Sequence, residues 1–205
     1  MIILAGQLDL ELSTNCLGGH SSMPPDETCI GILAKAVVNL EAYQFPVFFH
    51  SDDVFYRVLQ KLAPYSSFWY KFLFGNLWLF RPLLTRYMMK NNGMAAKLRT
   101  TTAVTIFHSG IKSNVLPRNA SAIVNFRVHP RQTIGEVVKH ALKAVNDERV
   151  SVKISNTTFF DIGPSPLSPF GTGVEGVDII ESSAKQIFPD GIIVPGRLRA
   201  LGGFI

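Results

Sequence analysis

Two cysteines, Cys16 and Cys29, are the only thiols in 205 residues. They are too few for a disulfide framework or a thiolate zinc site, and each reads as a small buried apolar side chain. Charge is scarce as well, with 17% charged residues against 47% hydrophobic ones, the balance of a globular chain able to bury a good core. The 20 basic residues outnumber the 15 acidic ones, but no five follow one another, which argues against nucleic acid as a partner. Long apolar runs are missing too. The densest stretch, residues 65–80, is interrupted by Lys71 and Asn76, so it does not read as a spanning helix. Met1–Ala5 is apolar, lacks a basic leader and soon gives way to Asp9 and Glu11, so it does not read as a secretory signal. The five histidines, His20, His50, His108, His129 and His140, are dispersed, and no pair has metal-site spacing with a carboxylate nearby.

What is present begins with Gly18-Gly19-His20-Ser21-Ser22-Met23-Pro24-Pro25. A glycine pair lets the backbone turn sharply and present the next side chain. Two prolines suit a first helical turn, where their missing N–H groups are not needed. The pattern predicts an imidazole at a strand-to-helix corner, placed either to reach a ligand or simply to lie in a polar turn.

Periodicity supplies the frame. Residues 7–13 alternate Leu8, Leu10, Leu12 with polar positions, a strand with one wet face. Ile30, Leu33, Val37 and Leu40 recur at helical spacing, with Asp26 and Glu27 at the helix's positive end. Strands are predicted over 101–108 and 121–129, a helix after the capping-box pattern Thr133-Ile134-Gly135-Glu136, and a short strand at Val150, Val152 and Ile154. The order strand, helix, insertion, strand, strand, helix, strand is the split βαβ arrangement. The fold class is therefore α+β: a ferredoxin-like four-stranded antiparallel sheet with two helices on one face, plus an aromatic-rich helical insertion at about 45–98. The insertion either packs on itself or offers an apolar surface to lipid. A linker is expected at 163–169 and a helix over 177–188.

Three motifs taken in order carry a resemblance: the Gly18-to-Pro25 stretch, Ser113-Asn114-Val115-Leu116-Pro117, and Val124-Asn125-Phe126-Arg127-Val128. Together they resemble the lid, or dimerisation, domain of the M20 di-zinc metallopeptidases, which include aminoacylase and carboxypeptidase S. Within that family the insertion and the run Leu98-Arg99-Thr100-Thr101-Thr102-Ala103 look most like the secreted N-fatty-acyl-amino-acid synthase/hydrolase branch. The resemblance implies a lid over residues 7–160 and, over 161–205, an incomplete return segment of a catalytic domain. It implies two zinc ions in the full-length family enzyme, with ligands on segments that this chain does not contain, so the chain is expected to be a fragment that is inactive alone.

Residue by residue, the resemblance makes His20 the catalytic donor to the oxyanion, often across a dimer interface. It makes Arg127 the holder of a substrate carboxylate and Asn114 a second substrate contact; His129 is taken as structural. The implied substrate is an N-acyl amino acid or dipeptide, hydrolysed or reversibly formed. The implied partners are a second copy through the lid sheet and lipid through the insertion. Secretion, or a vacuolar or lysosomal lumen, is the implied location. Two other readings stand beside it: a non-catalytic dimerisation module, and a ferredoxin-like regulatory domain that binds an amino acid through Arg127.

Overall fold

The computed structural model describes residues 2–4, 6–155, 175–194 and 196–198. In chain order the elements are β1 (Ile2–Leu4), β2 (Gly6–Asn15), β3 (Gly19–His20), α1 (Cys29–Ala42), α2 (Val54–Leu62), α3 (Phe68–Gly75), α4 (Leu77–Met88), α5 (Asn92–Leu98), β4 (Thr101–Ser109), β5 (Val115–Leu116), β6 (Asn119–Val128), α6 (Ile134–Val145), β7 (Val150–Ile154), α7 (Glu175–Ile187) and β8 (Gly196–Leu198). They fall into two compact units. One comprises Gly6–Pro46 and Thr100–Pro164; the other comprises Val47–Arg99 with the segments at both ends of the chain.

The first unit is the expected ferredoxin-like sheet, ordered β4-β6-β2-β7 with every neighbour antiparallel. Alternation decides what it buries. Leu8, Leu10 and Leu12 of β2 and Ala122, Val124, Phe126 and Val128 of β6 share one face and are essentially inaccessible. They pack with Ile32, Leu33, Ala36 and Leu40 of α1 and with Val137, Ala141 and Val145 of α6 in one core cluster. On the open face Gln7 lies opposite Arg127, Asp9 opposite Asn125 and Glu11 opposite Ile123.

Helix α6 starts as its sequence predicts: the Thr133 hydroxyl accepts from the Glu136 N–H, and the Glu136 carboxylate accepts from the Thr133 N–H. Helix α1 differs from expectation. It starts at Cys29 with Thr28 as its cap, the Thr28 hydroxyl accepting from the Gly31 N–H at 3.2 Å. Pro24 and Pro25 lie in the connection ahead of it, and its first turn holds no acidic residue. Thr28 wins because its hydroxyl satisfies an otherwise orphan donor, which neither proline nor a more distant carboxylate does.

The cysteines also correct the sequence reading. Cys16 and Cys29 are joined in a disulfide, so neither is a free thiol. The bridge ties the residue after β2 to the first residue of α1 and closes a loop with a sequence separation of 13.

In the second unit α2 is capped by Asp53, whose carboxylate accepts from the Phe55 N–H at 2.9 Å. Phe49, Tyr56, Leu77, Met88 and Leu98 form its core. Lys61 of α2 pairs with Glu181 of α7 at 2.8 Å, and β1 lies parallel to β8. Among the described residues no helix is long and apolar enough to cross a membrane. The linker expected at 163–169 lies outside the described residues.

Candidate functional site

The His20 corner is a two-strand ribbon. β3 pairs antiparallel with β5, placing His20 opposite Val115 and Gly19 opposite Leu116. The next rung is a hydrogen bond from the Ser21 N–H to the Asn114 carbonyl at 3.1 Å. His20 and Asn114, far apart in sequence, are therefore brought together, and both are exposed. The glycines serve this corner differently from the conformational freedom first expected, since Gly110 is the one described glycine with positive φ. A Cβ on Gly18 would stand 2.6 Å from the Arg118 side chain and 3.1 Å from the Leu116 carbonyl, so close approach is what requires glycine there.

The imidazole is oriented. Its Nδ1 accepts from the Ser22 N–H at 3.2 Å and lies 2.8 Å from the Ser22 hydroxyl. With Nδ1 accepting, the neutral ring carries its proton on Nε2. An exposed N–H donor is the chemistry that an anionic oxygen needs.

Arg127 sits elsewhere. It lies near the far end of β6, opposite Gln7 on one side and Thr101 on the other. Its guanidinium is half-buried and donates from Nη1 to the Gln7 amide oxygen at 2.7 Å. Among the described residues its hydrogen-bond partner is this neutral amide, and a guanidinium is a planar fork suited to a carboxylate. Asn119, at the ribbon end of β6, precedes Arg127 by eight positions, a span of about 26 Å along the strand. Within one chain Arg127 and His20 therefore lie apart.

His129 is buried, its N–H donating to the Thr100 hydroxyl at 2.8 Å and its Nδ1 accepting from the Arg131 N–H at 3.2 Å. It closes the turn after β6, in keeping with a structural part. An open cleft of about 490 Å³ lies on the same sheet, lined by Glu11, Ser13, Phe107, His108, Ser109 and Ser121 among others. It contains none of His20, Asn114 or Arg127. Sequence reasoning passed over His108, Ser121 and Ser13, which stand opposite one another across β4, β6 and β2; only strand register reveals that row.

Among the described residues no three His, Cys, Asp or Glu side chains come together to hold a metal ion. These described residues therefore do not form a zinc centre.

Comparison with known proteins gives a consistent result. Residues 4–153 match the family model of the M20 peptidase dimerisation domain. The human N-fatty-acyl-amino acid synthase/hydrolase PM20D1 is 43% identical over 185 residues, covering 90% of this chain and 36% of that protein. Carboxypeptidase S of Saccharomyces cerevisiae is 28% identical, covering 92% of this chain and 37% of that protein. The chain thus spans a little over a third of the length of these relatives. Among solved structures, the M20 family metallo-carboxypeptidase Sso-CP2 from Sulfolobus solfataricus shares the fold with a TM-score of 0.55 at 18% identity, covering 98% of this chain and 53% of that one.

Proposed function

We propose, from the premise that this chain belongs to the M20 peptidase family through its dimerisation domain, that it is the lid of a zinc-dependent amidohydrolase acting on N-acyl amino acids. The enzyme hydrolyses the amide and, run backwards, forms it. The metal chemistry is assigned to parts of the polypeptide other than these described residues. In the lid, His20 donates its Nε2 proton as a hydrogen bond to the oxyanion, Arg127 holds the carboxylate, and Asn114 contacts the substrate beside His20.

The observation that supports this reading is the placement of two complementary groups at opposite ends of β6, each incomplete alone. A second copy supplies the missing half of each site: His20 and Asn114 of one copy serve the substrate held by Arg127 of the other. The edge strand β4 suits that pairing. It runs for nine residues and exposes Ile106 and Phe107, whereas the opposite edge β7 has five residues and carries Lys153. Long apolar edges pair, and short charged ones do not. The disulfide supports a secreted or luminal location, because such bonds persist in oxidising compartments.

Complementation in the complete enzyme tests the reading. His20→Ala is expected to lower kcat by about 10²–10³, which is about 2.7–4 kcal/mol of barrier, while Arg127→Ala mainly raises KM. At substrate far below the raised KM, where each variant alone is nearly silent, mixing the two is expected to restore roughly a quarter of the wild-type rate, since half of randomly paired dimers then hold one intact composite site. No recovery on mixing defeats the shared site. Failure of the wild-type enzyme to cleave any N-acyl amino acid defeats the substrate class.

A further inference from the structure

Helix α4 is apolar on two sides. Leu77 and Met88 point into the core of their unit, with Leu84 packed against it. Trp78, Leu79, Leu83 and Tyr87 are exposed, Trp78 and Tyr87 each at 73%. Leu79, Leu83 and Tyr87 recur at spacings of four, so they form one stripe along the helix. Helix α3 has no buried residue at all and exposes Phe68, Trp69, Tyr70 and Phe72. An apolar side chain facing inward is explained by the core; these rings and leucines have no such explanation.

Charge identifies the occupant. Residues 54–99 contain eight basic residues and no aspartate or glutamate. The other 12 basic residues of the chain are set against all 15 acidic ones, so this segment alone makes the chain cationic. Some of the eight are already engaged: Lys61 pairs with Glu181, Arg81 lies 3.3 Å from His50 Nδ1, and Lys97 sits over the Phe55 ring. Lys71, Arg86 and Lys90 have no ion-pair partner among the described residues. Protein surfaces carry charges of mixed sign, and nucleic acid has no apolar layer to receive leucines. An anionic phospholipid surface is uniformly negative outside and apolar just beneath, and Trp, Tyr, Lys and Arg are the side chains that settle at that boundary.

We infer that α3 and α4 form a docking surface for anionic phospholipid membranes, lying in the interface without crossing the bilayer. The inference stands apart from the amidohydrolase reading, because its test measures binding and not turnover. Trp69 and Trp78 are the only two tryptophans in the chain, and both lie on this surface, so intrinsic fluorescence reports on it directly. Added to vesicles of equimolar phosphatidylcholine and phosphatidylserine, the full chain is expected to co-sediment and its tryptophan emission to shift to the blue. Phosphatidylcholine vesicles alone are expected to retain it at least tenfold less. Leu79→Glu with Leu83→Glu, and separately Arg86→Glu with Lys90→Glu, are expected to weaken binding to the mixed vesicles about tenfold or more while leaving the circular dichroism spectrum unchanged. Absence of co-sedimentation by the wild-type chain overturns the inference. So does binding undiminished in either double variant, or a tryptophan emission already blue before lipid is added to a chain extended to its relatives' length, which places protein over the surface.

Discussion

The two units handle their apolar residues in opposite ways. In the sheet unit Leu8, Leu10, Leu12, Val124 and Phe126 alternate with polar neighbours and are all buried, held between strands and two helices. In the helical unit a five-residue core holds α2, α4 and α5 together, while Phe68, Trp69, Trp78, Leu83 and Tyr87 face outward. Nineteen buried residues make up the first core against five in the second, among the described residues. The contrast teaches that hydrophobicity alone does not locate a core. An apolar stripe serves stability where another element packs on it, and a second stripe with nothing packed on it is available for something else.

Truncations break that comparison most directly. Leu10→Ala in β2 is expected to destabilise the sheet unit by about 3 kcal/mol, through lost burial and the cavity left behind. Trp78→Ala, a larger truncation, is expected to change stability by less than about 0.5 kcal/mol, because its ring is already in water. Urea unfolding of both variants checks the pair, and equal losses dissolve the distinction. A smaller effect sharpens it: Thr133→Ala removes the hydroxyl arm of the capping box at the start of α6, leaving the Glu136 carboxylate on the backbone N–H, and is expected to cost about 1 kcal/mol.

The smallest effect is electrostatic. The Arg149 guanidinium holds the Asp147 carboxyl down to about 2, and Lys35, with Arg149, lowers Glu27. Both folded carboxyls therefore release protons more readily than their unfolded counterparts, which titrate near 3.8 and 4.5. Their contribution is present above those ordinary values and is lost as the pH falls toward about 2. Because the pairs lie at the surface, where solvent screens them, the expected loss is slight, and Arg149→Ala should flatten the acid limb of a melting-temperature profile between pH 5 and about 2 without moving the neutral value much.

Much of the sheet unit was legible because period 2 and period 3.6 are written in single residues. β2 begins one residue before the expected strand and ends two beyond it, α6 starts at its expected capping box, and α1 buries Leu33 and Leu40 of its expected stripe while leaving Ile30 exposed. Other features depend on contacts distant in sequence. Nothing in the spacing of Cys16 and Cys29 signals that the end of β2 and the start of α1 stand side by side. The prolines before α1 outweighed Thr28 in the sequence reading, although only the threonine offers an acceptor to the first turn. The candidate site was legible as residues and not as geometry. The motif order implied His20, Asn114 and Arg127, but strand register is what joins the first two and carries the third to the other end of β6. In the insertion, aromatic density was visible at once, whereas its outward display needed coordinates.

The bond between Cys16 and Cys29 encloses the whole His20 turn in a covalent ring. Strand ends fray, and β2 ends in an exposed residue just before this turn. Without the ring, each such opening would free the imidazole to wander with the loosened backbone. With it, the chain on both sides stays moored to α1, so the histidine keeps its station even while the hydrogen bonds beneath it come and go.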